Sequence, residues 1–336
     1  MVAESRSGVG GAAHPVRQGC SRRNERGTSL PLIDVAKPKP GPRPGFVGGT
    51  LDRADQIRSD PALLARAFAD PRAGVLALDG LDPVVAGDTL AIEPLPSGSD
   101  PADFILLGQD DNGPLFVRMN PAAPHAANFS PKVWEVAPHL SANALAIYGT
   151  ARSLVDWHAR HGFCAVCGGE TGMHKAGWAR KCLDHKGLDC SAEHFPRVDP
   201  VTIMLAEYGD KVLIGRQHRW PPGRYSALAG FVEPGETLEE AVARELWEEA
   251  GIRVSDVSYV MSQPWPFASS LMVACMAQAV DDRLTLDETE IEDAFWVDAA
   301  GVRASLNGDP DAPFLAPPVM AVAHHLFLHW LEKVGG

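Results

Sequence analysis

The chain has 336 residues, 45% of them apolar, and a formal net charge of −13 at pH 7. That length predicts two or three domains with ample core material. The acidic balance excludes a broad polyanion-binding surface, whose affinity comes from Lys and Arg displacing counterions. No apolar run reaches the roughly 18 residues that span a bilayer, and the first residues lack the apolar core of a secretory signal. A reducing, cytoplasmic setting without a membrane is therefore expected. Of the 6 cysteines, Cys164, Cys167, Cys182 and Cys190 share one short segment while Cys20 and Cys275 stand alone, a pattern of metal ligation rather than of disulfides.

In chain order, residues 1–44 are rich in Gly, Ser, Pro and Arg without hydrophobic periodicity, and are expected to be a disordered tail. Residues 45–160 turn globular, with short strands expected at Gly74 to Leu78, Thr89 to Ile92, Phe104 to Leu107 and Leu115 to Met119, separated by Gly, Asp and Pro turns. A mixed or mostly β N-terminal domain follows from this. Ser141 to Arg160 reads as a Ser-capped amphipathic helix carrying Leu145, Tyr148, Ala151, Leu154 and Val155.

That helix delivers the chain to a Cys-x2-Cys knuckle at Cys164 and Cys167, followed by Cys182 and Cys190, as in a zinc ribbon over 161–198. Four thiolates would close one structural zinc site. The second pair is irregular, because seven residues separate Cys182 from Cys190. Either LDHKGLD is an insertion and Cys190 is the fourth ligand, or His185, at Cys-x2-His spacing, replaces it.

After Pro200, VTIMLAE and KVLIGRQ form a hairpin around Tyr208 to Asp210. Strands are expected at Val257 to Met261, Ser270 to Ala279 and Ala294 to Val297, and a closing helix at Val319 to Val334. Between them lies GFVEPGETLEEAVARELWEEAGI, from Gly230 to Ile252. Thr237 and Glu240 make a capping box, so a helix starts about there, and Gly251 sits where a left-handed C-terminal cap belongs. Glu245, Glu248 and Glu249 fall on one face, where three carboxylates repel one another unless a divalent cation turns repulsion into coordination.

Gly230, Glu236, Arg244, Glu245, Leu246, Glu248, Glu249, Gly251 and Ile252 fill every fixed position of the Nudix box, and the chain resembles the Nudix hydrolases. The order of strands and helices matches their α/β/α sandwich, so the fold class expected is α+β: an N-terminal mixed or mostly β domain, a zinc ribbon, and a Nudix domain over 199–336. SQPWPFASS, from Ser262 to Ser270, resembles the SQPWPFPxS motif of the NADH pyrophosphatase subfamily, with Ala268 where that family has proline. FVGGTLDRADQIR at Phe46 to Arg58 also resembles the opening of that subfamily's N-terminal domain. Cys190 keeps the family's spacing to Phe195 and Pro196, which favours it over His185.

The resemblance implies metal-dependent hydrolysis of NADH, and more slowly NAD⁺, to reduced nicotinamide mononucleotide and AMP, or removal of NAD caps from RNA. It implies two or three Mg²⁺ or Mn²⁺ ions held by Glu245, Glu249, Glu290 and the carbonyl of Ala229, with Glu248 a further ligand or the base that activates water. Substrate contacts are implied at Phe195, Phe231 and Ala323, and along the motif at Gln263, Pro264, Trp265, Pro266, Phe267, Ala268, Ser269 and Ser270. Phe231 and Trp265 would sandwich the nicotinamide, since planar bases stack well on aromatic rings. A homodimer is implied as well. Two competing classes are a Nudix hydrolase of other nucleoside diphosphate derivatives, such as ADP-ribose or dinucleoside polyphosphates, and a noncatalytic ligand sensor on the same fold.

Overall fold

The computed structural model describes residues 43–120, 130–183 and 190–335. Most of the expected tail, Cys20 and His185 lie outside these residues. Among the described residues, no helix is long and apolar enough to cross a membrane.

The N-terminal part is built on a sheet of β1 (Gly74–Leu76), β2 (Ile92–Pro94), β3 (Phe104–Asp110) and β4 (Gly113–Arg118), in the order β2-β1-β4-β3. The long apolar runs FILL and LFV carry β3 and β4 through the core. Helix α1 (Ala142–Arg160) is capped by Ser141, whose hydroxyl accepts from the Ala144 N–H at 3.1 Å. It lays Leu145, Tyr148, Ala151, Leu154 and Val155 against Leu76, Ile105, Leu107 and Val117. The same core takes in Phe46 and, from far along the chain, Phe267.

The ribbon is a small antiparallel sheet of β5 (Thr171–His174), β6 (Ala179–Cys182) and β7 (Glu193–His194), with β6 central. The C-terminal sheet contains β8 (Asp199–Tyr208), β9 (Lys211–Arg216), β10 (Leu228–Phe231), β11 (Val254–Trp265), β12 (Ser270–Ala279) and β13 (Asp293–Asp298). Its order is β11-β12-β8-β9-β13, with β10 also paired to β8. Strand β8 runs parallel to β12 and antiparallel to β9 and β10. A strand buried on both faces reads as a continuous apolar run, which is how VTIMLA behaves: Ile203 and Leu205 face one side, Met204 and Ala206 the other.

Helix α2 (Leu238–Ala250) covers the Met204 side with Val242, Leu246 and Ala250. Helices α3 (Ala299–Leu306) and α4 (Val322–Val334) cover the Ile203 side with Val302, Leu326, Phe327 and Trp330. The result is an α/β/α sandwich.

Two differences from the expected boundaries bear on the site. The last helix starts at Val322 rather than Val319, after the pair Pro317 and Pro318, which ends in a turn closed by Ala321 N–H to Pro318 O at 2.8 Å. Strand β11 runs on past the expected end at Met261, through Gln263 and Pro264, to Trp265. Proline lacks a ladder donor and is excluded from central strands, but β11 is an edge strand, where its missing N–H costs nothing.

Candidate active site

Helix α2 begins and ends as its sequence dictates. The Thr237 hydroxyl accepts from the Glu240 N–H at 3.2 Å while the Glu240 carboxylate accepts from the Thr237 N–H at 2.7 Å. Gly251 closes the helix at φ 69°, a left-handed conformation that glycine adopts without steric cost. Between these caps Glu245, Glu248 and Glu249 share the face expected from their spacing. Their environments differ: Glu249 is 3% exposed, whereas the Glu245 and Glu248 side chains are 12% and 57% exposed.

Strand β10 lies beside this face. A β-carbon at Gly230 would fall 1.8 Å from the carboxyl carbon of Glu245, so Glu245 occupies the space a side chain would take. Ala229 immediately precedes Gly230 on the same strand and pairs with Ile203.

Arg244 is the hub of the loop and the helix. It grips both oxygens of Glu236, from Nε at 2.6 Å and Nη2 at 2.9 Å. Its Nη1 donates to Glu245 and Glu248, each at 2.9 Å, and Nη2 also donates to the Phe231 carbonyl at 2.8 Å. A planar guanidinium satisfies such a fork in a way a lysine does not. The hydrogen bonds from Arg244 hold the Glu236 carboxyl down to about 2. Charge pairing alone would have shown this arginine only as a partial offset to the helix's acidity; the tertiary structure makes it the residue that orients two of the three helix carboxylates.

Glu249 has the opposite electrostatics. Burial first, and then the charges of Glu245, Glu290 and Glu248, push its carboxyl up to about 8. Its Oε2 is buried without a hydrogen-bond partner among the described residues. Burial also raises Glu245, with the Arg244 hydrogen bond opposing. Glu290 comes from the segment before β13. That segment is tied to the end of the helix by the Asp287 N–H on the Glu249 carbonyl at 3.1 Å and the Thr285 N–H on the Ala250 carbonyl at 2.9 Å. An orphaned buried carboxylate oxygen and three further carboxylates fit a hard divalent cation bound by oxygen.

The aromatic motif is divided in its placement. Pro264 is exposed, while Trp265, Ala268, Ser269 and Ser270 are partly buried. Pro266 and Phe267 are buried. Gln263 is 1% exposed and acts as a backbone clamp: its Nε2 donates to Gly45 O at 2.9 Å and Met320 O at 2.7 Å, and its Oε1 accepts from the Val322 N–H at 2.8 Å. It thereby satisfies an N-terminal donor of α4, which has no side-chain cap of its own. Ala323, one residue further on, is 2% exposed, whereas Phe195 and Phe231 are 59% and 60% exposed. Phe195 stacks with Lys175, whose Nζ lies 5.2 Å from the ring centre.

In the ribbon, the ligand atoms of Cys164, Cys167, Cys182 and Cys190 all lie within 4.8 Å of one another. Cys164 Sγ is 3.8 Å from Cys190 Sγ, and Cys167 Sγ is 3.5 Å from Cys182 Sγ. Zn–S bonds of about 2.3 Å in a tetrahedron give S···S edges of about 3.8 Å, so the cluster fits zinc. The backbone N–H groups of Cys167 and Val166, followed by His194, bring the Cys164 thiol down to about 6. His194 Nε2 sits 3.2 Å from that sulfur, a contact that spacing did not reveal.

Residues 196–316 match the NUDIX domain family, and residues 159–195 match the NADH pyrophosphatase zinc ribbon domain. The chain carries a NUDIX domain. Helix α2 lies within that domain, and the ribbon match ends at residue 195, directly before the domain match begins. The human NAD-capped RNA hydrolase NUDT12 is 44% identical over 191 residues, covering 55% of this chain and 41% of that one. The mitochondrial NAD(P)H pyrophosphatase NUDT13 of Mus musculus is 39% identical over 194 residues, covering 54% of each. The NAD-capped RNA hydrolase NudC of Chromobacterium violaceum is 37% identical over 184 residues, covering 55% of this chain and 63% of that one. The chain thus spans less than two thirds of the length of these relatives. Among solved structures, a NUDIX hydrolase from Nitrosomonas europaea matches at 23% identity and TM-score 0.40, over 51% of this chain and 90% of that one.

Proposed function

We propose that the protein is a metal-dependent dinucleotide pyrophosphatase that cleaves the diphosphate of NADH, and more slowly of NAD⁺, releasing AMP and reduced or oxidised nicotinamide mononucleotide. One observation carries this reading: a buried carboxylate with an orphan oxygen, Glu249, feels the charges of Glu245, Glu290 and Glu248, and Gly230 leaves the space that Glu245 occupies. The relatives named NAD(P)H pyrophosphatase and the pyrophosphatase-type ribbon support the substrate class.

Glu245, Glu249, Glu290 and the Ala229 carbonyl would hold Mg²⁺ or Mn²⁺. Such ions neutralise diphosphate charge and lower the pKa of the attacking water. Arg244 fixes the orientation of Glu245 and Glu248. Glu248, the most exposed of the three helix carboxylates, is available to take the proton as water adds to phosphorus and the bridging P–O bond breaks. Phe231 and Trp265 offer rings for the nicotinamide, and Phe195 a further aromatic contact. The motif residues from Gln263 to Ser270 and Ala323 shape the surrounding wall. The four ribbon cysteines would hold one structural zinc. The protein would work as a cytoplasmic homodimer.

A second reading is removal of NAD caps from RNA as the main role, supported by the relatives named NAD-capped RNA hydrolases. Side-by-side product analysis with NADH, NAD⁺, ADP-ribose and an NAD-capped RNA, in Mg²⁺ and in Mn²⁺, separates the two. Fastest release of reduced nicotinamide mononucleotide and AMP from NADH supports the first reading. A large advantage for capped RNA replaces it with the second, and a preference for ADP-ribose overturns both.

A further inference from the structure

The segment that opens the N-terminal domain reaches the aromatic motif. The Gly45 N–H donates to the Met320 carbonyl at 2.8 Å, and the Gly45 carbonyl accepts from Gln263. The next residue, Phe46, is 3% exposed. Its ring meets Trp265 edge-on at 6.0 Å between centroids and Phe267 at 5.8 Å, while Trp265 and Phe267 lie 5.3 Å apart. All three pairs are near-perpendicular, at 89°, 71° and 71°, the arrangement ring quadrupoles favour. Helix α1 makes room for this cluster with Gly149, whose missing β-carbon would lie 3.2 Å from the Phe46 ring and 3.6 Å from Pro266.

Phe46 holds its place against its own backbone preference. Its φ is 64°, a left-handed conformation that bulky L-residues rarely adopt. Such a conformation persists only where surrounding contacts over-determine it, and here those contacts are the rings of the motif and the clamp on Gly45.

We propose that Phe46 is a positioning residue for Trp265: its edge-to-face contact sets the plane of the indole on which the substrate's second base stacks. This rests on the pyrophosphatase reading for its consequence in catalysis, but not for its structural claim. A dinucleotide with two planar bases uses the indole; ADP-ribose, which lacks the second base, does not. The N-terminal domain is then a part of the specificity site contributed through one ring.

The test uses the full chain with Phe46→Ala and Phe46→Leu, the latter keeping apolar volume without the ring edge. The first readout needs no substrate: acrylamide quenching of Trp265, obtained as the difference between each protein and its Trp265→Phe counterpart. The second is the pair of KM values for NADH and ADP-ribose. In both variants the Trp265 difference signal is expected to quench more readily. KM for NADH should rise about tenfold, as expected when a stacking surface is lost, with kcat and the KM for ADP-ribose within about twofold. Unchanged quenching in both variants overturns the positioning role. Equal rises in the two KM values overturn the claim of base specificity. A wild-type protein that leaves NADH intact defeats the pyrophosphatase reading, while the quenching comparison still decides the placement of the indole.

Discussion

The Glu245 carboxyl carbon lies 1.8 Å from the point where Gly230 would carry a β-carbon. Two residues that are 15 apart in sequence, one on β10 and one on α2, are therefore mutually exclusive in bulk, and the glycine is a requirement of the carboxylate's position.

Gly230→Ala is expected to displace Glu245 and to break its contact with Arg244. Turnover should fall by on the order of a hundredfold or more, as for a misplaced catalytic group, with weaker Mn²⁺ binding by titration. Activity within a few-fold of wild type would mean that Glu245 can move without consequence.

Removing charge from the helix carboxylates tests their assignment directly. Glu249→Gln and Glu248→Gln should each lower turnover by orders of magnitude while circular dichroism stays native. Near wild-type rates in both would place the chemistry on other residues.

Glu249 also predicts a pH dependence of stability in metal-free protein. Its carboxyl rises from the ordinary 4.5 to about 8 on folding, so between these values the native state binds the proton more tightly than the unfolded chain. Its contribution is then fully present below about pH 4.5 and is lost as pH rises through about 8, on the order of a few kcal/mol. Denaturant unfolding in a chelator should show wild type losing stability from pH 5 to 9 relative to Glu249→Gln. A difference independent of pH would contradict the raised carboxyl.

Arg244→Lys keeps the charge but cannot reproduce the fork on Glu236, Glu245, Glu248 and the Phe231 carbonyl. Thermal unfolding should reveal a loss of about 2 kcal/mol, the scale of charged hydrogen bonds, with a fall in turnover. For the Glu236 partner the sign runs the other way from Glu249. Its carboxyl is depressed to about 2, so its contribution is present above the ordinary 4.5 and disappears as pH drops toward 2. An unchanged melting temperature in Arg244→Lys would show that the fork is dispensable.

The ribbon calls for metal analysis of reduced protein, expected to give about one zinc per chain. Cys190→Ser should lose the metal and His185→Ala should retain it. The reverse result would assign the fourth ligand to His185, and no zinc in the wild type would remove the site.

Much of this was legible in the amino-acid sequence because it rests on local rules. The capping box at Thr237 and Glu240, the left-handed cap at Gly251 and the shared face of three glutamates follow from helical period and backbone sterics. The Cys-x2-Cys knuckle and the apolar run of β8 are equally short-range signals. What only the tertiary structure decided depends on neighbours distant in sequence. Sequence alone left the burial of Glu249 beside a more exposed Glu248 undetermined, since a shared helix face says nothing about how deep each residue sits. The prolines of SQPWPF oppose a central strand, and the strand expected from the sequence stops at Met261; the edge position of β11 removed that objection. The same placement turned Gln263 into a clamp and buried Phe267 with Phe46. These outcomes depend on packing across more than 200 residues of chain, a contact no spacing in the sequence encodes.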